Sequence, residues 1–346
     1  MRILHLLKSN KYSGAENVVL TIMDVCSDMD MVYASPDGSI REVVQSRGHE
    51  FYPLNRPTIR EVKKAIRELH PDVIHAHDFT MASTAAWAAG DIPVVAHLHN
   101  NPPWLKKICP RSVVFAFALS RIRQVISVSK AVEGEYIFRG LMKNKNTVIG
   151  NVVDAEKVWR KALEKANIKQ VKLVFLGRQT PPKCPLLFCQ IVEEVKKTLP
   201  DITARMIGDG ELMPQVKEYI HQNHLERNIE LVGFQSNPYP YLNAGEIMVM
   251  PSAWEGFGLA AVEGMCLGKP VVCSGVGGLN DIVDSTCGAK CSSMEEYAHA
   301  IIELLQDDVR YTSAAANAVL KSKRYVDMKK YADEIRRVYR RASEEK

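Results

Sequence analysis

Residues 251–283 read PSAWEGFGLAAVEGMCLGKPVVCSGVGGLNDIV, and the fold is decided there. The apolar run Ile247–Met250 reads as a buried strand that enters a short loop, Ser252–Gly256. A helix is expected to open near Gly258. A second strand, Pro270–Cys273, then ends in Gly275-Val276-Gly277-Gly278. Strand, glycine-containing turn, helix and strand in succession make an anion site, because a helix start offers unpaired N–H groups and a positive dipole end. Gly256 and Gly258 allow a ligand close to the backbone. Glu255 precedes the helix and Glu263 lies roughly 7 Å of helical rise beyond Gly258. That spacing suits a diphosphate at the helix tip with hydroxyl-bearing groups on either side. The two carboxylates could also serve as a hydrolase acid/base pair. Ser252 stands three residues before Glu255 as a capping partner, which argues against that.

Outward from this stretch, strand-like and helical runs alternate. Strands are expected at Arg2–Leu7, Met31–Ala34, Glu50–Leu54, Val73–His75, Pro93–Leu98, Gln124–Val128 and Thr147–Ile149. The alternation restarts at Lys172–Leu176, Arg205–Ile207 and Ile229–Val232. Helical patterns such as Ile59–Leu69 and Lys130–Phe138 lie between. The pattern predicts parallel, doubly wound α/β sheets, whose ligands sit at the carboxyl ends of the strands. Ser13 and Glu16 form a capping-box pattern that places Gly14 at a helix tip. The charged stretch 150–170 reads as the connection between two halves. A final basic amphipathic helix is expected from Tyr325.

Several residues could carry chemistry. Arg178 and Lys183 flank a loop stiffened by two prolines directly after a strand, a fork donor and a point charge suited to a pyrophosphate. His75-Ala76-His77-Asp78 and His97-Leu98-His99-Asn100 each end a strand. His77, Asp78, His97 and His99 are conceivable metal ligands, but hydrogen-bonded structural histidines are the more ordinary case and no metal is expected. Asp28-Met29-Asp30 matches a D-x-D metal motif by chance, since it lies at a helix-to-strand junction.

Composition bounds the rest. The chain has 346 residues and a net charge of +5. Eight cysteines without a C-x-x-C point to reduced thiols in a cytoplasmic protein. Neither a signal peptide nor an apolar run near the ~20 residues of a membrane span is read. Val113–Leu119 is expected to be a buried helix. Lys106–Lys145 holds nine basic residues against Glu133 and Glu135, so the segment is +7 and the rest of the chain slightly negative. Such a segment is either a solvated face or a patch for an anionic surface, membrane lipid or a phosphate-bearing acceptor. Nucleic acid is not expected, because no recognition motif accompanies the charge.

The pattern Glu255-Gly256-Phe257-Gly258-Leu259, a second glutamate at Glu263 and then Gly268-Lys269-Pro270-Val271-Val272 resembles the nucleotide-sugar site of the retaining glycosyltransferases of family four. Gly177-Arg178-x4-Lys183 resembles that family's diphosphate clamp, with Cys184 where glycine is more usual. Similar enzymes carry Gly-Gly-Ala-Glu where this chain has Ser13-Gly14-Ala15-Glu16, and Pro-Asn-Gly-Val-Asp where it has Gly150-Asn151-Val152-Val153-Asp154. Their Val-Val-x-x-x-His motif places a histidine beside the donor sugar, here His99.

The resemblance implies a GT-B architecture: two Rossmann-like domains, 1–160 and 161–324, face a central cleft, and a helix at 325–346 crosses back to the first domain. It implies transfer of a hexose, with retention, from a nucleoside-diphosphate sugar, with UDP favoured, and no metal or other cofactor. His99, Arg178, Lys183 and Glu255 are the expected catalytic residues. Gly14, Arg178, Lys183, Glu255, Gly256, Phe257, Gly258, Leu259 and Glu263 are the expected nucleotide-sugar contacts. The basic segment suggests a lipid-linked saccharide acceptor, as in surface polysaccharide synthesis, with peripheral association at the inner membrane face. A sugar-nucleotide epimerase of the same fold and an inactive partner subunit of a glycosyltransferase pair are the alternatives.

Overall fold

The computed structural model describes residues 1–164 and 167–344. The chain forms two compact units, Met1–Val152 joined by the segment from Asp327 onward, and Val153–Val326. The junction lies at Val152/Val153, ahead of the expected 160/161. Asp154 accepts the Lys157 N–H at 2.9 Å and caps a helix, Ala155–Ala162, so the stretch read as connection carries an element of the second unit.

The first unit is built on seven strands: β1 (Arg2–Leu6), β2 (Asp30–Pro36), β3 (Glu50–Leu54), β4 (Val73–His77), β5 (Val94–Leu98), β6 (Gln124–Ser127) and β7 (Asn146–Val148). Their order is β3-β2-β1-β4-β5-β6-β7, all parallel. Every residue of β4 and β5 is buried, as expected of strands covered on both faces. The C-terminal helix, Met328–Glu344, packs on the helix Gly14–Val25 and on β4, β5 and β6. It buries Tyr331, Ile335, Val338 and Tyr339.

The second unit has six strands: β8 (Val171–Leu176), β9 (Ala204–Ile207), β10 (Ile229–Gly233), β11 (Gly245–Met250), β12 (Val271–Ser274) and β13 (Gly288–Cys291). Their order is β10-β9-β8-β11-β12-β13, again all parallel. Its core joins Leu173, Phe175, Ile247 and Val249 of the sheet to Phe188, Val192 and Ile301 of the covering helices. In each sheet the strand order reverses once, between β1 and β4 and between β8 and β11. Ligands of such sheets sit outside the strand ends at those points.

Three local expectations are corrected. Ser13 does not cap its helix through its side chain; its hydroxyl donates instead to the Glu16 carboxylate. The helix from Lys130 stops at Gly134. The helix read as buried at Val113–Leu119 spans Pro110–Ala118 and is amphipathic: Phe115 and Ala118 are buried, whereas Val114 and Phe117 are exposed. Asp28 pairs with Arg336 and Asp30 with Arg2, so the D-x-D residues are held apart in separate structural ion pairs. All eight cysteines are free, and among the described residues no helix is long and apolar enough to cross a membrane.

Candidate active site

The second unit gathers its polar groups where β8 and β11 end side by side. After β8 the chain passes Gly177, Arg178 and Gln179 into a short turn, Pro181–Lys183. After β11 it enters the loop 251–258. Ala253 N–H donates to the Pro182 carbonyl at 2.9 Å and stitches the loop to the turn. Lys183 Nζ then forms an ion pair with the Glu255 carboxylate, with side chains only 21% and 15% exposed. Such a pair is screened less by water than a surface pair.

The helix Leu259–Cys266 begins as predicted, with Gly258 as N-cap at φ 109°. That left-handed conformation excludes most side chains. The glycine-rich turn after β12 supports the loop from behind. Gly278 N–H donates to the Glu255 carbonyl at 3.1 Å, and a Cβ on Gly278 would lie 2.2 Å from the Phe257 carbonyl oxygen. Only glycine lets these backbones meet. Phe257 is buried with its ring edge-on to Tyr325, so its contribution to a ligand is limited to its backbone.

Glu263 projects from the second turn of this helix and accepts the Tyr239 hydroxyl at 3.0 Å. Burial pushes its carboxyl up to about 7, against the Tyr239 hydrogen bond and the nearby Lys183 charge, which pull it down. Lys183 therefore stands within electrostatic reach of both glutamates. Arg178 shares the loop but is exposed, and no ion pair to it is found among the described residues. Ser252 does not cap Glu255; its hydroxyl is buried without a partner, and its carbonyl accepts Ser274 Oγ at 2.5 Å. Sequence reasoning missed Tyr239, whose hydroxyl orients Glu263. It also missed Gln179, fully buried with neither amide atom partnered.

In the first unit, five histidines meet at the ends of β1, β4 and β5. His5 lies opposite His75 in the register and His77 opposite His97. Side chains two apart on a strand share a face, so all five rings collect on one side of the sheet. His97 and His99 stack with ring centres 4.1 Å apart. His5 Nδ1 lies 3.0 Å from His77 Nε2, and His77 Nδ1 lies 2.8 Å from His99 Nε2. His75 Nδ1 lies 2.8 Å from the Tyr339 hydroxyl. Burial holds His5 at about 3 and His99 at about 4, and His75, His77 and His97 well below the usual range. The rings are thus neutral at pH 7.

His99 is the least buried of the five. Asp78, in a left-handed conformation at φ 63°, fixes it by accepting its backbone N–H at 3.2 Å. The buried Glu16, in the first turn of the helix that begins at Gly14, acts on His99 electrostatically. Gly14 itself is exposed.

Residues 12–157 match the family described as Glycosyltransferase Family 4, and residues 170–307 match Glycosyl transferases group 1. An uncharacterised glycosyltransferase of Methanocaldococcus jannaschii is 27% identical over 282 residues, 79% of this chain and 76% of that protein. A UDP-Gal:alpha-D-GlcNAc-diphosphoundecaprenol alpha-1,3-galactosyltransferase of Escherichia coli is 29% identical over 180 residues, 48% of this chain and 46% of that protein. The crystal structure of Anabaena HepE in complex with UDP and glucose superposes with a TM-score of 0.85 at 21% identity, over 97% of this chain and 98% of that one. That last likeness speaks for the fold.

Proposed function

The chain belongs to glycosyltransferase family four, and from that membership we propose that it transfers a hexose, with retention, from a nucleoside-diphosphate sugar to an acceptor hydroxyl. The observation that carries this reading is the meeting of Lys183 with Glu255 and Glu263 beside the Gly258 helix tip. UDP is the favoured nucleotide, in keeping with the complexes named for similar proteins.

Lys183 would exchange its carboxylate partner for the donor diphosphate, and Arg178, with no acid partner among the described residues, would add a second donor. Glu263 would accept hydrogen bonds from the ribose hydroxyls. Glu255, released from Lys183, would contact the hexose hydroxyls, and the amides around Gly256, Phe257, Gly258 and Leu259 would face the sugar and phosphate. In the reaction the acceptor oxygen bonds to the anomeric carbon on the departing side as the bond to the phosphate oxygen breaks. That phosphate oxygen takes the acceptor proton. Fixed positive groups and the helix dipole would carry the charge developing on the leaving diphosphate, which is the work a metal ion does elsewhere. The family pattern also gives His99 a contact with the donor sugar and Gly14 a place among the nucleotide-sugar contacts; His99→Ala and Gly14→Val test these separately.

The acceptor we propose is a lipid-linked saccharide presented at a membrane. The segment 106–145 is basic, and Ile108, Val114 and Phe117 within it are 72%, 51% and 67% exposed. Exposed apolar residues among positive charges suit an anionic lipid interface. Some of the charge is already engaged: Lys145 donates to the Leu119 and Ile122 carbonyls, and Arg121 lies over the Trp87 ring. A Val114→Ser/Phe117→Ser variant is expected to lose vesicle binding at every salt concentration, whereas high salt weakens the parent. Failure of the parent to bind anionic vesicles at low salt removes the membrane part.

The central test is a donor panel with the purified protein, with and without chelator, reading donor consumption and the anomeric configuration of the product. Transfer with retained configuration is expected. Conversion of a donor without any acceptor would mark a sugar-nucleotide epimerase, and no consumption of any donor a silent partner subunit.

A further inference from the structure

We propose that the histidines at the end of the first sheet form a binding site for a divalent transition-metal ion of the zinc class, held by His77, His97 and His99. The ligand nitrogens of these three residues lie within 4.8 Å of one another. Zinc–nitrogen bonds of 2.0–2.1 Å place two nitrogens of a tetrahedral site about 3.3 Å apart. His77 Nδ1 and His99 Nε2, 2.8 Å apart in a shared hydrogen bond, would give up that bond and part by about 0.5 Å around an ion, and the stacked His97 ring would turn to bring a nitrogen in.

Three observations point to an ion in this position. His97 is fully buried, and among the described residues neither of its ring nitrogens has a partner; His99 Nδ1 is likewise buried without one. An imidazole left so carries a desolvation cost that a ligand at the lone pair offsets. Next, if His77 coordinates through Nδ1, its Nε2–H donates to His5 Nδ1 at 3.0 Å, the outer hydrogen bond that fixes ring orientation in metal-bound histidines. Finally, the buried Glu16 acts on His99 electrostatically, and the Asp78 carboxyl, although burial pushes it up, accepts the His99 backbone N–H, so acids stand beside the site to balance an ion.

A second triad, His5, His75 and His77, also meets the distance criterion. It is the weaker site. All three rings are buried with no exposed member to admit an ion, and the Tyr339 hydroxyl already occupies His75 Nδ1. The outer triad has His99 part-exposed at its edge, which gives a route in and leaves a fourth position for water. Where His99 serves the donor sugar as proposed above, a bound ion would withdraw it and inhibit transfer. That consequence rests on the earlier reading; the binding does not.

The experiment uses the untagged full chain, stripped with chelator and dialysed. Zn2+ alone is added and followed by calorimetry and by elemental analysis after gel filtration; Co2+ reports geometry through its visible absorption. One ion per chain is expected, with the intense bands of four-coordinate cobalt. His97→Leu should weaken binding more than tenfold, while His75→Leu leaves it unchanged. His99→Ala, at the edge of the cluster, should match His97→Leu and serves in its place should the buried variant fail to fold. No stoichiometric uptake by the parent overturns the proposal. So does undiminished binding in His97→Leu or His99→Ala, which would put the ion on exposed residues such as His221 and Glu226. Loss in His75→Leu would put it in the inner triad and overturns this assignment too.

Discussion

At the reversal point of the second sheet, Lys183 meets Glu255 in an ion pair, with Glu263 and a helix tip close by. At the reversal point of the first sheet, five imidazoles meet one another, with a tyrosine at one end and two acids at the other. The same topology thus presents two kinds of polar group. Opposite charges satisfy each other and can be exchanged: in the function proposed above, an incoming phosphate would replace the carboxylate as partner of the ammonium. Neutral imidazoles packed at ring distances of 4 to 5 Å have no charge to exchange. They offer lone pairs and N–H groups of fixed direction. Stabilising a departing diphosphate belongs to the first kind of group, and directional contact or metal ligation to the second.

The contrast breaks most sharply at Lys183. Lys183→Ala is expected to cut turnover by about 10²–10³ or more, the usual loss when a donor to a developing anion is removed. Circular dichroism should show the fold intact. Equal loss from His75→Leu, a ring given no donor contact, would erase the distinction between the regions, and undiminished activity in Lys183→Ala would end the clamp role.

A smaller effect sharpens the other side. Tyr339 reaches His75 from the C-terminal helix at 2.8 Å, and both side chains are fully buried. Tyr339→Phe leaves His75 Nδ1 without a partner and should cost about 1–3 kcal/mol of stability. Denaturant unfolding should show it, with kcat per folded molecule unchanged. A loss of kcat at unchanged stability would mean the ladder takes part in transfer beyond His99.

What the sequence conveys of each region follows the same division. Contiguous motifs are legible. The turn before Lys183 and the Gly258 helix start were both readable, because neighbours along the chain built them. Alternating buried strands were readable too, since parallel strands covered on both faces are near-continuous apolar runs. The short β13, Gly288–Cys291, lacks such a run and was missed. Register across strands is not written locally. Nothing near His5 shows that it lies opposite His75, so the five-ring cluster became visible only with the sheet assembled. Tyr239 escaped for a like reason, being far from Glu263 in the chain and adjacent to it in space. At Ser13 and Ser252 the capping pattern misled: the Ser13 hydroxyl donates to the Glu16 carboxylate instead of accepting a backbone N–H, and Glu255 turns to Lys183, away from Ser252.

Glu263 supplies the finest test, since burial moves its carboxyl toward neutrality. Its carboxyl is raised to about 7 from an ordinary value of 4.5. Below pH 4.5 it is protonated both folded and unfolded and makes no difference to stability. Between 4.5 and 7 the unfolded chain ionises while the folded one resists, so stability falls as pH rises, and above 7 the loss is complete. Glu263→Gln removes this dependence. The variant should gain on the parent across that window, by ~1–3 kcal/mol at pH 8 given about 1.36 kcal/mol per pKa unit. Donor affinity should move the opposite way in the parent. In the proposed role only the ionised carboxylate would accept from both ribose hydroxyls, so KM should rise as pH falls below about 7, and in Glu263→Gln it should be high and flat. Parallel stability curves for the two proteins from pH 4 to 8 would show that Glu263 is not held in a desolvated site. The charged region would then resemble an ordinary solvated ion pair.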